Sequence, residues 1–135
     1  MSPRILSVQT KKHSQFIDIT GDLTKMVSNT GIKEGICYIY VPHTTAAITI
    51  NENADQTVQR DIIKQLEELI PWENNFFKHT EGNSAAHAKA SLLGSNCSVI
   101  INEGKLLLGT WQGIYFCEFD GPRNRNVYVK IANIS

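Results

Sequence analysis

The spacing of hydrophobic positions along the chain changes several times between a period typical of strands and one typical of helices. Between residues 53 and 70 apolar residues recur at steps of three and four, which predicts an amphipathic helix ended by Pro71. An alanine-rich run from residue 84 to residue 93 predicts a second helix. Residues 22–29 form a short third candidate, with Gly31 as its stop signal.

Polar residues and a glycine mark the ends of the two longer helices. Asn53 or Asp55 can cap the start of the first, and Asn83 or Ser84 can cap the start of the second. Gly94 stands where a left-handed residue commonly ends a helix.

The remaining apolar runs predict strands. These runs are residues 5–10, 16–20, 35–41, 46–50, 98–102, 105–108, 110–119 and 127–132. Glu103-Gly104 is typical of the turn of a hairpin. This order of strands and helices predicts one α+β domain over residues 1–135, in which two main helices cover mainly antiparallel sheets.

Composition narrows the classes of partner. The chain has 135 residues with 41% hydrophobic content, which is enough for one domain with its own core. Thirteen basic and 13 acidic residues balance without a basic stripe, which argues against nucleic acid as a partner. No apolar run approaches the roughly 20 residues of a membrane span, and the N-terminus lacks a signal-peptide pattern. We expect a cytoplasmic protein that does not bind membranes.

The three cysteines do not suggest a functional site. Cys37, Cys97 and Cys117 are widely spaced and odd in number, and no Cys-x-x-Cys pair exists, so neither a disulfide framework nor a thiolate zinc site is suggested. Cys37 and Cys117 lie in apolar strand-like runs, where we expect buried and inert thiols.

Three of the four histidines lie in polar segments of the kind that carry binding sites. His43 stands in the break between two strands, His79 in a polar loop, and His87 at the start of the alanine-rich helix. Taken singly, each is also compatible with an ordinary surface position. Three imidazoles that leave a fourth position open are a common form of catalytic metal site. We therefore predict that His43, His79 and His87 hold a divalent metal, most simply zinc.

Carboxylates beside these segments are candidates for proton transfer. Glu118 lies in a strand of aromatic residues, where burial without a partner is costly. Alternation along that strand places Gln112 and Glu118 on one face, and Glu52 ends another strand. We predict that Glu118 or Glu52 carries the proton, with Gln112 on the same polar face. The alternative is that Glu118 forms a surface ion pair with Arg123 or Lys89.

The start of the alanine-rich helix favours an anion, because free backbone N–H groups and the helix dipole point at this end. Asn83 and Ser84 stand there. Arg123 and Arg125 follow a Gly-Pro turn and form either a small anion site or a solvated turn. We predict that Asn83, Ser84 and Arg123 bind the phosphate group of a ligand.

Three segments resemble the YjbQ-like family, which is also labelled secondary thiamine-phosphate synthase. They are HTTAAITINENAD at residues 43–55, HAKASLLG at residues 87–94 and GTWQGIYFCEFDGPR at residues 109–123. They occur in the family's order, and the resemblance covers nearly the whole chain. It implies a single α+β domain, a homotrimer, and a histidine-rich, metal-binding pocket in or near the subunit interface. It also implies a weak thiamine-phosphate synthase activity.

The resemblance also assigns residues to that pocket. His43, His79 and His87 match the histidines of the family. The matching motifs further contain Asn51, Glu52, Gln112 and Glu118.

Two classes of function follow. The first is a metal-dependent enzyme that acts on a phosphorylated small molecule, with an open metal position for water or a phosphate oxygen. The synthase reaction releases pyrophosphate and usually requires Mg²⁺ with oxygen ligands, whereas three histidines suit zinc. Metal-assisted chemistry at a phosphorylated small molecule is therefore the broader prediction. The second class is a non-catalytic trimer that binds a phosphorylated metabolite in the same pocket.

Overall fold

Within residues 2–134, the computed structural model contains eight strands and three helices. The strands are β1 (Arg4–Gln9), β2 (Gln15–Asp18), β3 (Gly35–Tyr40), β4 (Ala46–Glu52), β5 (Asn96–Asn102), β6 (Lys105–Leu106), β7 (Gln112–Glu118) and β8 (Asn124–Asn133). The helices are α1 (Thr20–Thr30), α2 (Thr57–Leu69) and α3 (Ser84–Leu93). Each predicted element is present, with its ends shifted by a few residues.

The strands form two antiparallel sheets. Five strands lie in the order β1-β8-β3-β5-β6, and three lie in the order β2-β7-β4. The α+β class and the antiparallel sheets are thereby confirmed. The short third helix candidate is confirmed as α1, which spans 11 residues against 13 in α2 and 10 in α3. It begins at Thr20, whose backbone N–H donates to Asp18 Oδ1 at 2.9 Å.

The central strand of the smaller sheet, β7, is buried on both faces. Ile114 and Phe116 point into the main core, between the two sheets and α1. Tyr115 and Cys117 point the other way, into a second core that α2 and α3 cover. The alternation predicted for this strand is therefore confirmed. The result is a layered fold of large sheet, small sheet and helices.

Some of the predicted helix ends agree with the structure, and others do not. Gly31 ends α1 in the left-handed conformation at φ 71°, and α2 ends directly before Ile70 and Pro71. Gly94 has φ 102° and ψ 160°, which is outside the left-handed helical region that we predicted. Asn83 occupies the position before α3, but its side chain makes no capping hydrogen bond to the helix.

Apolar side chains remain exposed on the outer face of the five-stranded sheet. Ile5, Tyr128 and Tyr40 are direct cross-strand neighbours there, and the two tyrosine rings stack with centroids 6.3 Å apart. Tyr38 and Ile100 are also exposed on this sheet. In contrast, Cys37 and Cys117 are fully buried, as predicted. None of the helices formed by residues 2–134 has both the length and the apolar character needed to cross a membrane.

Candidate functional site

Two of the predicted metal ligands lie side by side at the start of α3. The rings of His79 and His87 have centroids 5.3 Å apart and nearly perpendicular planes. A turn closed by the Gly82 N–H, which donates to the His79 carbonyl at 3.1 Å, brings the loop back toward the helix. The His79 side chain is 43% exposed and His87 is half-buried. The pair is therefore accessible to a ligand.

His43, in the loop between β3 and β4, lies beside the C-terminal part of α3. It lines a cavity of about 320 Å³ with α3 residues that include Ala90 and Ser91, and Ser91 is one helical turn beyond His87. The backbone N–H of Asn126 donates to His43 Nε2 at 3.0 Å. Burial, followed by the positive charge of Arg125, lowers the pKa of His43. The ring is accordingly neutral, with its proton on Nδ1.

The three predicted ligands do not form a complete metal site in one chain. Among residues 2–134, no three side chains of histidine, cysteine, aspartate or glutamate are arranged to hold one ion. His79 and His87 supply two imidazoles, while His43 uses its Nε2 lone pair to accept a hydrogen bond. The set of three histidines stays a prediction.

Glu118 is the centre of a buried hydrogen-bond network. Arg125 Nε donates to Glu118 Oε1 at 2.8 Å, and Arg125 Nη2 donates to Oε2. The Thr10 hydroxyl donates to Oε1 at 2.8 Å, and the backbone N–H of Asp120 donates to Oε2 at 3.0 Å. The Glu118 side chain is 0% exposed and that of Arg125 is 4% exposed. Both carboxylate oxygens are therefore satisfied inside the protein.

This network gives Glu118 a different role from the predicted proton carrier. Burial alone would raise the pKa of the Glu118 carboxyl, but the hydrogen bonds from Arg125, Asp120 and Thr10 outweigh it and lower the pKa. A carboxylate that stays ionised and has no exposed surface does not reach a ligand. The alternative of a surface pair with Arg123 or Lys89 is also wrong, since the partner is the buried Arg125.

The network instead fixes the loop that carries His43. Arg125 Nη2 donates to Thr45 Oγ1 at 2.8 Å, while the Phe119 N–H donates to the Thr45 carbonyl at 3.2 Å. The adjacent Asn126 N–H holds the His43 ring itself. Arg125 and Glu118 are thus positioning residues that set the orientation of His43.

We expected Arg125 in a small anion site or a solvated turn and missed its buried pairing with Glu118, although the sequence carries a signal for it. Val127, Val129 and Ile131 all point into the core from β8. The same period of two, extended backwards, places Arg125 on the inward face, because β8 begins at Asn124. A basic residue at an inward position predicts a buried acidic partner.

Gln112 and Glu52 lie away from the histidines. They are direct cross-strand partners at one end of the small sheet, whereas Glu118 pairs with Ala46 at the other end. Six residues of extended strand separate Gln112 from Glu118 by about 20 Å. The predicted face that joins Gln112 with Glu118 is therefore not one site in this chain. Gln112 instead caps a turn, since its Oε1 accepts the Gly109 N–H at 2.8 Å.

Two of the predicted phosphate ligands, Asn83 and Arg123, meet around Asp120 at the start of α3. Asn83 Nδ2 donates to Asp120 Oδ2 at 2.8 Å, and Arg123 Nη2 donates to the same oxygen at 3.1 Å. In this chain, N–H groups that we predicted to bind a phosphate therefore donate to the Asp120 carboxylate instead. Arg123 remains 49% exposed and has further N–H groups free for a ligand. Ser84 begins α3, where the first-turn N–H groups lie.

The sequence matches one family model along almost its whole length. A model described as UPF0047 protein YjbQ-like matches residues 4–134. The UPF0047 protein YugU of Bacillus subtilis is 51% identical over 128 residues, which cover 95% of this chain and 97% of the relative. A UPF0047 protein of Methanocaldococcus jannaschii is 56% identical over 124 residues, which cover 92% of this chain and 89% of the relative.

Solved structures share the fold. A crystal structure from Clostridium acetobutylicum, described as an uncharacterized conserved protein of the yjbq/upf0047 family, superposes with a TM-score of 0.93 at 54% identity, covering 96% of this chain and 99% of that one. A protein of unknown function from Sulfolobus solfataricus gives a TM-score of 0.93 at 36% identity, with 98% and 96% covered.

Proposed function

The chain belongs to the UPF0047 protein YjbQ-like family, and we propose that it is a metal-dependent enzyme acting on a phosphorylated small molecule. The observation that carries the proposal is the pair of accessible imidazoles, His79 and His87, at the N-terminal turn of α3. A metal ligand pair and a helix start in the same place favour binding of a metal ion together with a phosphate group.

The donor chemistry of the pair fits a transition metal, and zinc above all. Imidazole nitrogen is a preferred zinc ligand, whereas Mg²⁺ prefers oxygen. His79 and His87 would hold the ion, and His43 from the same or a neighbouring subunit is the proposed third ligand. When bound, the ion supplies a positive charge that polarises a phosphate oxygen or a water molecule.

The chain's own groups would hold the phosphate and orient the proton chemistry. The first-turn N–H groups near Ser84 and the free N–H groups of Arg123 are donors for phosphate oxygens. In the absence of a metal, the neutral His43 ring offers its Nδ1–H as a donor, held in place by Arg125 and Asn126. Glu52 lies too far along the small sheet to assist His43 in the same chain.

Metal analysis of the purified protein tests the proposal. We expect near-stoichiometric zinc in the wild type by plasma mass spectrometry, and loss of that zinc in His79→Ala and His87→Ala. His13→Ala is the matched control, because His13 lies outside the pair and should leave the metal content unchanged. A wild type that neither carries zinc nor binds added zinc in calorimetry rules the metal site out.

The proposed enzyme is a homotrimer. The support is the exposed apolar face formed by Ile5, Tyr38, Tyr40 and Ile100 on the five-stranded sheet, since apolar patches of this kind mark protein contacts. Sedimentation analysis should give three chains for the wild type and a smaller species for Tyr40→Glu. Leu69→Glu, an exposed apolar position on α2, is the control. A wild-type monomer would contradict the trimer.

One observation favours a second candidate, a trimer that binds a phosphorylated metabolite without turnover. Glu118, the predicted proton carrier, is fully enclosed by its partners. The carboxylate beside the histidine pair is that of Glu81, which lies 3.9 Å from His79 Nε2 and is 73% exposed, so it is not held in place for proton transfer. The two candidates differ in turnover. Metal-loaded protein that binds a phosphate ester tightly and releases no product from a panel of such esters would favour the binding protein.

A weak thiamine-phosphate synthase activity is the narrower form of the enzyme proposal. Complementation of a thiamine auxotroph by the wild type but not by His87→Ala would support it. Complementation by both the wild type and His87→Ala would show that this activity does not require His87.

A further inference from the structure

The sheet-facing side of α3 carries a lysine among alanines. The buried positions of this helix are Ala85, Ala86, Lys89 and Ala90. Lys89 is two residues beyond His87, which turns its side chain about 200° around the helix axis. It therefore belongs to a different surface from the histidine pair.

Lys89 has no counter-charge in contact with it. The residue is only 3% exposed, and among residues 2–134 no carboxylate oxygen lies within 4.0 Å of its Nζ. Its Nζ lies 5.9 Å from the centre of the Phe119 ring, within the range of a cation–π contact. Charged side chains are rarely buried without a partner, because desolvation of a lone charge is costly. The Glu67 carboxylate acts on Lys89 from beyond contact distance, so the ammonium group has no anion in direct contact with it.

The lysine faces a cavity large enough for a small molecule. The cavity has a volume of about 500 Å³ and is lined by His13, Ser14, Glu67, Pro71, Trp72 and Lys89. Pockets for small ligands have volumes in this range and combine apolar walls with a few polar groups. The His13 ring packs edge-on against Trp72 with centroids 4.4 Å apart, so the two rings form one aromatic wall.

We propose that this cavity binds a small aromatic carboxylate, whose carboxylate group pairs with Lys89 and whose ring packs against Trp72 and Pro71. The carboxylate provides a counter-charge in direct contact with Lys89, and the aromatic ring matches the apolar wall. Glu67 lines the same cavity and carries a negative charge of its own. A dianion such as a phosphate monoester is therefore disfavoured, which separates this site from the proposed phosphate site.

Calorimetry on the full chain tests the assignment with three probes: benzoate, the neutral benzamide and phenyl phosphate. We expect saturable binding of benzoate and at least about tenfold weaker binding of the other two. Lys89→Met should weaken benzoate by at least about tenfold, while Lys64→Met, an exposed lysine on α2, should not. The double variant His79→Ala, His87→Ala should bind benzoate like the wild type.

Several outcomes would overturn the inference. They are equal binding of benzoate by Lys89→Met and the wild type, equal binding of benzamide, preferred binding of phenyl phosphate, and no saturable binding of benzoate at millimolar concentration. Lys89→Met puts an apolar side chain of similar length in place of an ammonium group that contacts no carboxylate, so the variant should remain folded. Trp72→Leu is a second variant at a partly exposed position and should also weaken benzoate.

Discussion

The Glu118–Arg125 network and the His79–His87 pair both join side chains at one end of the molecule, but they differ in what remains free. In the network, both oxygens of Glu118 are used and neither side chain is exposed beyond 4%. In the pair, His79 is 43% exposed and the two rings contact each other. Ionisable residues that are satisfied internally stabilise and position the fold. Those with unused binding capacity are the candidates for ligand binding.

The largest expected effect comes from breaking the buried network. Arg125→Met leaves the Glu118 carboxylate buried without its main partner, which should lower the free energy of unfolding by about 3–5 kcal/mol. Urea denaturation measures this loss. The double variant Glu118→Met, Arg125→Met removes both charges and should recover much of the stability. A loss below about 1 kcal/mol in the single variant would place the pair among exposed salt bridges.

The stability of the protein should depend on the histidine pair only when metal is bound to it. Zinc at about 100 times its Kd should raise the free energy of unfolding of the wild type by about 2.7 kcal/mol. His87→Ala should lose this gain while keeping the stability of the metal-free protein, because His87 makes no buried hydrogen bond through its ring. Thermal unfolding with and without zinc measures both. Equal stabilisation of wild type and variant would remove His87 from the site.

Acid should act on His43 and on Glu118, both linked to the buried network, at different pH. Burial and Arg125 lower the pKa of His43 below 6.5 in the folded chain, so the unfolded chain binds more protons as the pH falls. Stability is therefore complete above about pH 6.5 and falls with decreasing pH. Hydrogen bonds outweigh burial and lower the pKa of Glu118 below 4.5, which adds a second loss at more acidic pH.

His43→Asn separates these two losses. The variant should flatten the dependence of stability on pH just below 6.5 and retain the steeper loss below 4.5. Urea midpoints measured from neutral to acidic pH provide the test. If the loss of stability just below pH 6.5 is the same in His43→Asn as in the wild type, a group other than His43 produces it.

Most of the fold could be predicted from local patterns in the sequence. The period of two along β7 and the period of three to four along α2 are direct consequences of which faces are buried, and both patterns were interpreted correctly. The extent of α1 was underestimated: it begins two residues earlier than predicted, at Thr20, whose N–H donates to the Asp18 carboxylate and which apolar spacing does not mark.

The candidate site was less predictable, because its contacts join residues far apart in the chain. The Thr10 and Arg125 contacts of Glu118 and the Asn126 contact of His43 depend on how β1, β7 and β8 are aligned in the sheets. Strand spacing alone placed Gln112 and Glu118 on one face, which is correct. It did not account for the six residues of strand that separate them, so the grouping of those two residues into one site failed.

The smallest expected effect is that of Arg123→Met. This variant makes at an exposed arginine the same substitution that Arg125→Met makes at a buried one. Arg123→Met removes an ion pair to Asp120 in which the arginine side chain is 49% exposed. Asn83 still donates to the same Asp120 oxygen at 2.8 Å, so no buried charge is left alone. The free energy of unfolding should therefore change by about 1 kcal/mol or less. If Arg123→Met proves as destabilising as Arg125→Met, exposure does not separate the two regions. If Arg123→Met preserves stability but weakens binding of a phosphate ester, Arg123 belongs with the accessible His79–His87 pair as part of the ligand site.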